Sequence, residues 1–173
     1  KQAWQPKVCF MYAAPQTEQK TMPYTPAAVS TVLRSQLALI GAAEAAAPED
    51  ADLVCYINCG DDDLLPDTKQ IEAVRALLNA GRPVALVDSS ANFAPAELLL
   101  PKLLNSGLPV NRLAAYAGWN TFSNSSGTAL AQGLIFAGRL RELQKSSASE
   151  AQYASLYADN LSFTAERILE DYY

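Results

Sequence analysis

The chain has 173 residues, half of them hydrophobic and 18% charged, which is enough for one domain with a real core. Its net charge of -5 argues against the basic face of a nucleic-acid binder. The absence of histidine excludes a Ser-His-Asp triad, a Cys-His pair and an HExxH zinc site, so any proton transfer falls to Asp, Glu, Tyr, Lys or Cys.

The chain begins at Lys1 without Met and shows no signal-peptide pattern. We therefore expect one α/β domain over 1–173, excised from a longer chain whose remainder is a partner. Residues 7–13 are apolar and predict a buried strand. A polar loop with Pro15, Pro23 and Pro26 leads to an amphipathic helix over 27–40, stopped by Gly41. Residues 41–46 predict a short edge strand. Residues 51–58 predict a second buried strand, and 67–80 a helix stopped by Gly81. The pattern repeats with a strand at 82–88, a helix at 94–105 closed by Gly107, a strand at 110–117 and a helix at 125–144. After a polar break at 146–150 a further helical pattern runs to the end, with Tyr153, Leu156, Tyr157 and Leu161 at near-helical spacing.

Strands that are apolar on both faces and alternate with helices predict a parallel sheet covered on both sides. The expected fold is a three-layer open α/β sheet of about five strands, flavodoxin-like or Rossmann-like, with an extra C-terminal helix. No run is long enough to cross a membrane. Cys9 and Cys55 fall in apolar strands, where cysteine acts as a small hydrophobe. Cys55 and Cys59 lack the second ligand pair of a zinc site. An odd cysteine count favours a reducing, cytoplasmic compartment and leaves localisation otherwise open. The basic residues Arg139, Arg141 and Lys145, offset by Glu142, read as a solvated helix face. Gly127 and Ala131, one turn apart, are expected to let the last helix approach the sheet closely.

Neither GxxxxGK[ST] nor GxGxxG occurs, which argues against conventional nucleotide binding, and no cofactor is expected. The polar residues gather instead at the predicted strand ends. The third strand runs into Asn58-Cys-Gly-Asp61-Asp62-Asp63, the fourth into Asp88-Ser89-Ser-Ala-Asn92, and the fifth into Gly118-Trp119-Asn120-Thr121-Phe-Ser-Asn124. In a parallel sheet these ends lie side by side, where ligands bind. Amides and carboxylates share the hydroxyl hydrogens of a polyol while an indole face covers its C–H surface. The ligand expected at Asn58, Asp61, Ser89, Asn92, Trp119, Asn120, Thr121 and Asn124 is a small, polar, sugar-like molecule. Asp88 is the candidate acid/base group, with Asp61 or Asp62 as a second carboxylate for hydrolysis.

Each assignment has a plainer alternative. Asp61, Asp62 and Asp63 read first as loop solvation, with Mg²⁺ binding the runner-up. Asp88 is equally suited to bonding the backbone of the following turn. Trp119 fits the core as well as a ligand contact, and Asn120 and Asn124 suit bracing of the turn or a helix cap. The whole chain then reads either as part of a carboxylate-based hydrolase or as a non-catalytic ligand-binding or interdomain docking module.

The stretch Ala115-Tyr-Ala-Gly-Trp-Asn-Thr-Phe-Ser-Asn-Ser-Ser-Gly-Thr-Ala-Leu-Ala-Gln132 resembles a bacterial family catalogued as a domain of unknown function, number 4127. Ala51-Asp-Leu-Val and Val87-Asp88 with the Ala-Asn pair that follows resemble that family's preceding strands. The resemblance covers most of 7–173. It implies an internal or C-terminal α/β segment of a longer protein, with the turn at 118–124 as its working site. It supplies no reaction and no catalytic residues.

Overall fold

A computed structural model describes residues 4–12, 26–60, 67–90, 99–108, 112–118 and 124–160. Its strands are β1 (Lys7–Tyr12), β2 (Ala43–Glu44), β3 (Leu53–Gly60), β4 (Val84–Ser90) and β5 (Ala115–Gly118). Its helices are α1 (Pro26–Leu37), α2 (Asp67–Asn79), α3 (Leu99–Asn105) and α4 (Asn124–Lys145). A fifth helix, α5, has its described residues at 150–160.

All strand pairs are parallel, in the order β2-β1-β3-β4-β5. That order is the flavodoxin-like alternative of the two expected, and its topological switch lies between β1 and β3. β1 feeds α1 on one face and β3 feeds α2 on the other.

Side-chain alternation divides the core in two. Leu53, Cys55 and Ile57 of β3 point to one face, where Val29 and Leu33 of α1, Leu130 and Leu134 of α4 and Leu156 of α5 cover them. Val54 and Tyr56 point to the other, under Val74 and Leu78 of α2 and Leu99 and Leu103 of α3. The central strands are apolar at both parities because both faces are covered. Val54, Tyr56, Val84, Leu86 and Ala114 are all buried, as expected of such a sheet.

Several boundaries differ from the sequence reading. β5 begins at Ala115, because Leu113 and Ala114 are buried without belonging to the strand. Of the helix expected over 94–105 the structure shows α3, Leu99–Asn105; residues 94–98 lie outside the described ones. β2 has two residues, both paired with the amino end of β1. The return from β2 to β3 is a 3-10 turn at Pro48–Asp50 rather than a full helix. It fits because the side chains beneath it, Cys9, Ala45 and Ala51, are small and buried.

The close approach of α4 to the sheet occurs at Gly133, not at Gly127 and Ala131. A Cβ on Gly133 would stand 2.8 Å from Leu53 Cδ2, whereas one on Gly127 would meet Gln36 of α1 at 3.2 Å. Glycine spacing alone does not say which turn of a helix crosses a strand.

Three stops share one geometry. After α2 the amide of Gly81 donates to Leu78 and that of Arg82 to Leu77, each at 3.0 Å. The same pair of bonds follows Gly41 and Gly107. This 5→2 and 6→1 arrangement needs a left-handed residue, and Gly81 has φ 72°. α4 also ends on a left-handed residue, Ser147 at φ 54°, where the 6→1 bond is made by Ala148 N donating to Leu143 O.

α5 opens on a capping box. Ser149 N donates to Gln152 Oε1 at 2.8 Å, and Gln152 N donates to Ser149 Oγ at 3.3 Å. Its far end is tied down by Asn160, whose Nδ2 donates to the carbonyls of Leu113 and Ala114. The cysteines follow the expectation. Cys9 and Cys55 are free and buried on neighbouring strands, and their side chains enter opposite cores.

Candidate functional site

Strand register sets the geometry of the carboxyl edge. Asn58 of β3 pairs with Asp88 of β4, and Asp88 pairs with Gly118 of β5. These three positions therefore form one row across the sheet, at the end of β5 and two residues before the ends of β3 and β4. Ser89 follows in register with Cys59. Asn124 is the first residue of α4. Asp61, Asn92, Trp119, Asn120 and Thr121 lie outside the described residues, as do Asp62 and Asp63.

Alternation turns Asn58 and Asp88 toward the face covered by α2 and α3. Asp88 is fully buried there. Its Oδ1 accepts from Asn58 Nδ2 at 2.9 Å and from the amide of Leu99 at 2.7 Å. Its Oδ2 accepts from the amide of Leu100 at 2.7 Å. The carboxylate thus joins β3, β4 and the start of α3, where unpaired amides and the helix dipole favour a negative charge.

Two effects compete at Asp88. Burial penalises the charged form and pushes the pKa up from 3.8 to about 6. The bonds from Leu99, Asn58 and Leu100, and the Lys102 charge, oppose that rise. All three bonds described above are donated to the carboxylate, so this geometry is that of the ionised group.

Sequence reasoning named Asp88 and weighed a backbone bond for it. It did not find the amides of Leu99 and Leu100 as partners. They are eleven and twelve residues downstream, beyond the reach of any local turn or capping signal. It also missed Gln70. This residue lies in the first turn of α2, at the same edge of the sheet, and is 4% exposed. Its Oε1 has no hydrogen-bond partner among the described residues. Nothing in the sequence marks Gln70 except a polar residue on the buried side of the helix.

Among the described residues no three acidic or thiol side chains gather in a metal-binding arrangement. No helix among them is long and apolar enough to cross a membrane. Burial pushes the Cys55 thiol up to about 12, so Cys55 is protonated at neutral pH and carries no thiolate chemistry.

A family model matches residues 1–173, the whole chain. The chain belongs to the family described as protein of unknown function, DUF4127. No curated protein matches it. The family assigns no reaction, so the chemistry of this DUF4127 chain has to be argued from the edge itself. That edge combines an interior carboxylate with the ends of three neighbouring parallel strands.

Proposed function

We propose that this α/β domain is a non-catalytic binding module for a small polar ligand, held at the carboxyl edge of the sheet. The observation that carries the reading is the row Asn58–Asp88–Gly118. It puts the carboxyl ends of β3, β4 and β5 within two residues of one level, so the segments that follow them start from one edge of the sheet. Those segments carry Asp61, Asn92, Trp119, Asn120, Thr121 and Asn124, whose amides, hydroxyls and indole suit a sugar-like molecule.

In this reading Asp88 holds the edge together and does not touch ligand. Both its oxygens are occupied and it has no exposed surface. A general acid must reach the group it protonates. Binding is therefore a better fit than hydrolysis by Asp88. The polar residues that follow β3 and β5 in the sequence supply the ligand contacts in this reading, the Trp119 indole being suited to a C–H face.

A Trp4→Phe background leaves Trp119 as the one remaining tryptophan of the chain. Its fluorescence should respond saturably to one member of a panel of sugars and polyols. Asn120→Ala should weaken that response about tenfold, the worth of one good polar contact. Asp88→Asn should lower the melting temperature and leave the affinity of the folded protein within about twofold. A panel without any saturable response sinks the proposal. Turnover that disappears in Asp88→Asn while folding is intact would return Asp88 to the acid/base role.

A further inference from the structure

The amino edge of the sheet, opposite the site discussed above, holds a cavity of about 350 Å³. Its walls are the residues entering β3 and β4, the stop of α2 and one face of the last turns of α4. That volume is at the lower end of ligand pockets, which run from roughly 300 to 1,000 Å³. Arg82 enters it from the sheet, and Arg141 and Gln144 from α4. Sequence reading treats Arg141 as part of a solvated helix face. In the structure it is half-buried and turned to this cavity.

Both guanidinium groups are held in place by something other than an acid. Arg82 Nη1 donates to the carbonyl of Ala51 at 3.1 Å. The Arg141 guanidinium lies 4.8 Å from the centre of the Trp4 ring. Trp4 in turn fits over Gly138, where a Cβ would stand 3.2 Å from the indole. Among the described residues neither arginine forms an ion pair. Two fixed positive charges therefore face one small, partly enclosed space.

One carboxylate and two helix ends also lie at this cavity, and each has hydrogen-bond donors of its own. Asp52 also lines the cavity, but its Oδ2 accepts the amide of Lys7 at 2.8 Å. Two helices end at this edge, and helix C-termini repel anions. The carbonyls of Leu77 and Leu78 at the end of α2 are met by the amides of Arg82 and Gly81. Those of Glu142 and Leu143 at the end of α4 are met by Ser146 and Ala148.

We propose that this cavity binds a small oxyanion, the phosphate or carboxylate group of a metabolite, between Arg82 and Arg141 with Gln144 as a further donor. Guanidinium groups present paired N–H donors that match two oxygens of such a group, and prior anchoring reduces the ordering cost. The cavity size limits the ligand to a small molecule.

The test is a melting-temperature titration with inorganic phosphate and with malonate, each against sodium chloride at matched ionic strength. A saturable rise with phosphate alone identifies a phosphate ligand, and with malonate alone a carboxylate ligand. A rise with both identifies an unselective oxyanion site. Arg82→Gln and Arg141→Gln should each weaken the apparent affinity about tenfold or more, as expected for loss of a charge-assisted contact. Arg75→Gln should leave it unchanged, because Arg75 is paired with Glu72 on α2 and does not line the cavity. If Arg82→Gln fails to fold for want of the Ala51 bond, Arg141→Gln and Gln144→Leu carry the test. No saturation beyond chloride overturns the proposal. So does equal weakening by Arg75→Gln, which would mean unspecific charge screening.

Discussion

Asp88 shows how one buried group couples folding to pH. Its folded pKa of about 6 lies above the ordinary 3.8, so between these values the folded protein binds more proton than the unfolded chain. Its contribution to stability is therefore full below pH 3.8 and is lost as pH rises through about 6. Asp88→Asn removes that dependence. The urea midpoint of the parent minus that of Asp88→Asn should fall with rising pH across this window and level off above it. A flat difference would show that the three bonds, rather than burial, set the pKa. At neutral pH Asp88→Asn should still cost ~1–3 kcal/mol, since an amide NH₂ would face donors that the carboxylate accepts. Cys55 makes the complementary case. It is fully buried and its thiol is pushed up to about 12, so it should resist alkylation in the native protein and react only on unfolding.

At the scale of elements, the ends of helices are where single substitutions are informative. Ser147 takes the left-handed role that glycine fills at Gly41, Gly81 and Gly107. Ser147→Gly should raise stability by about 1 kcal/mol, measured by urea denaturation, because the Cβ strain of that conformation disappears. Ser149→Ala should cost ~0.5–2 kcal/mol and speed amide exchange in the first turn of α5, as the Gln152 amide loses its Ser149 Oγ acceptor while the bond from Ser149 N to Gln152 Oε1 can persist. Gly133→Ala should destabilise by ~1–3 kcal/mol despite its better helix propensity. The added methyl meets buried Leu53 at 2.8 Å and Ala85 at 3.4 Å, and the sheet beneath cannot yield. A thermal melt equal to the parent's would show that α4 shifts outward at little cost.

For the whole molecule, the division between what the sequence decides and what the fold decides is clear. Continuous apolar strands alternating with helices determine a parallel sheet covered on both faces, because only that arrangement buries both parities of β3 and β4. The glycine stops are equally local, since Gly41, Gly81 and Gly107 each end a helical pattern by backbone conformation alone. Strand order is not local. The choice of the 2-1-3-4-5 order over a Rossmann order depends on which edge of the sheet each crossover returns to, and no residue pattern records that. The same holds for the site. That polar residues gather at strand ends is legible in Asn58 and Asp88. That Asp88 is sealed under α3 while Arg82 and Arg141 share a cavity is not. These partners are separated by eleven residues in one case and by fifty-nine in the other. Propensity and periodicity act within a few turns of chain. Burial, bond partners and charge proximity are set by the packing of distant segments, and only the tertiary structure brings those together.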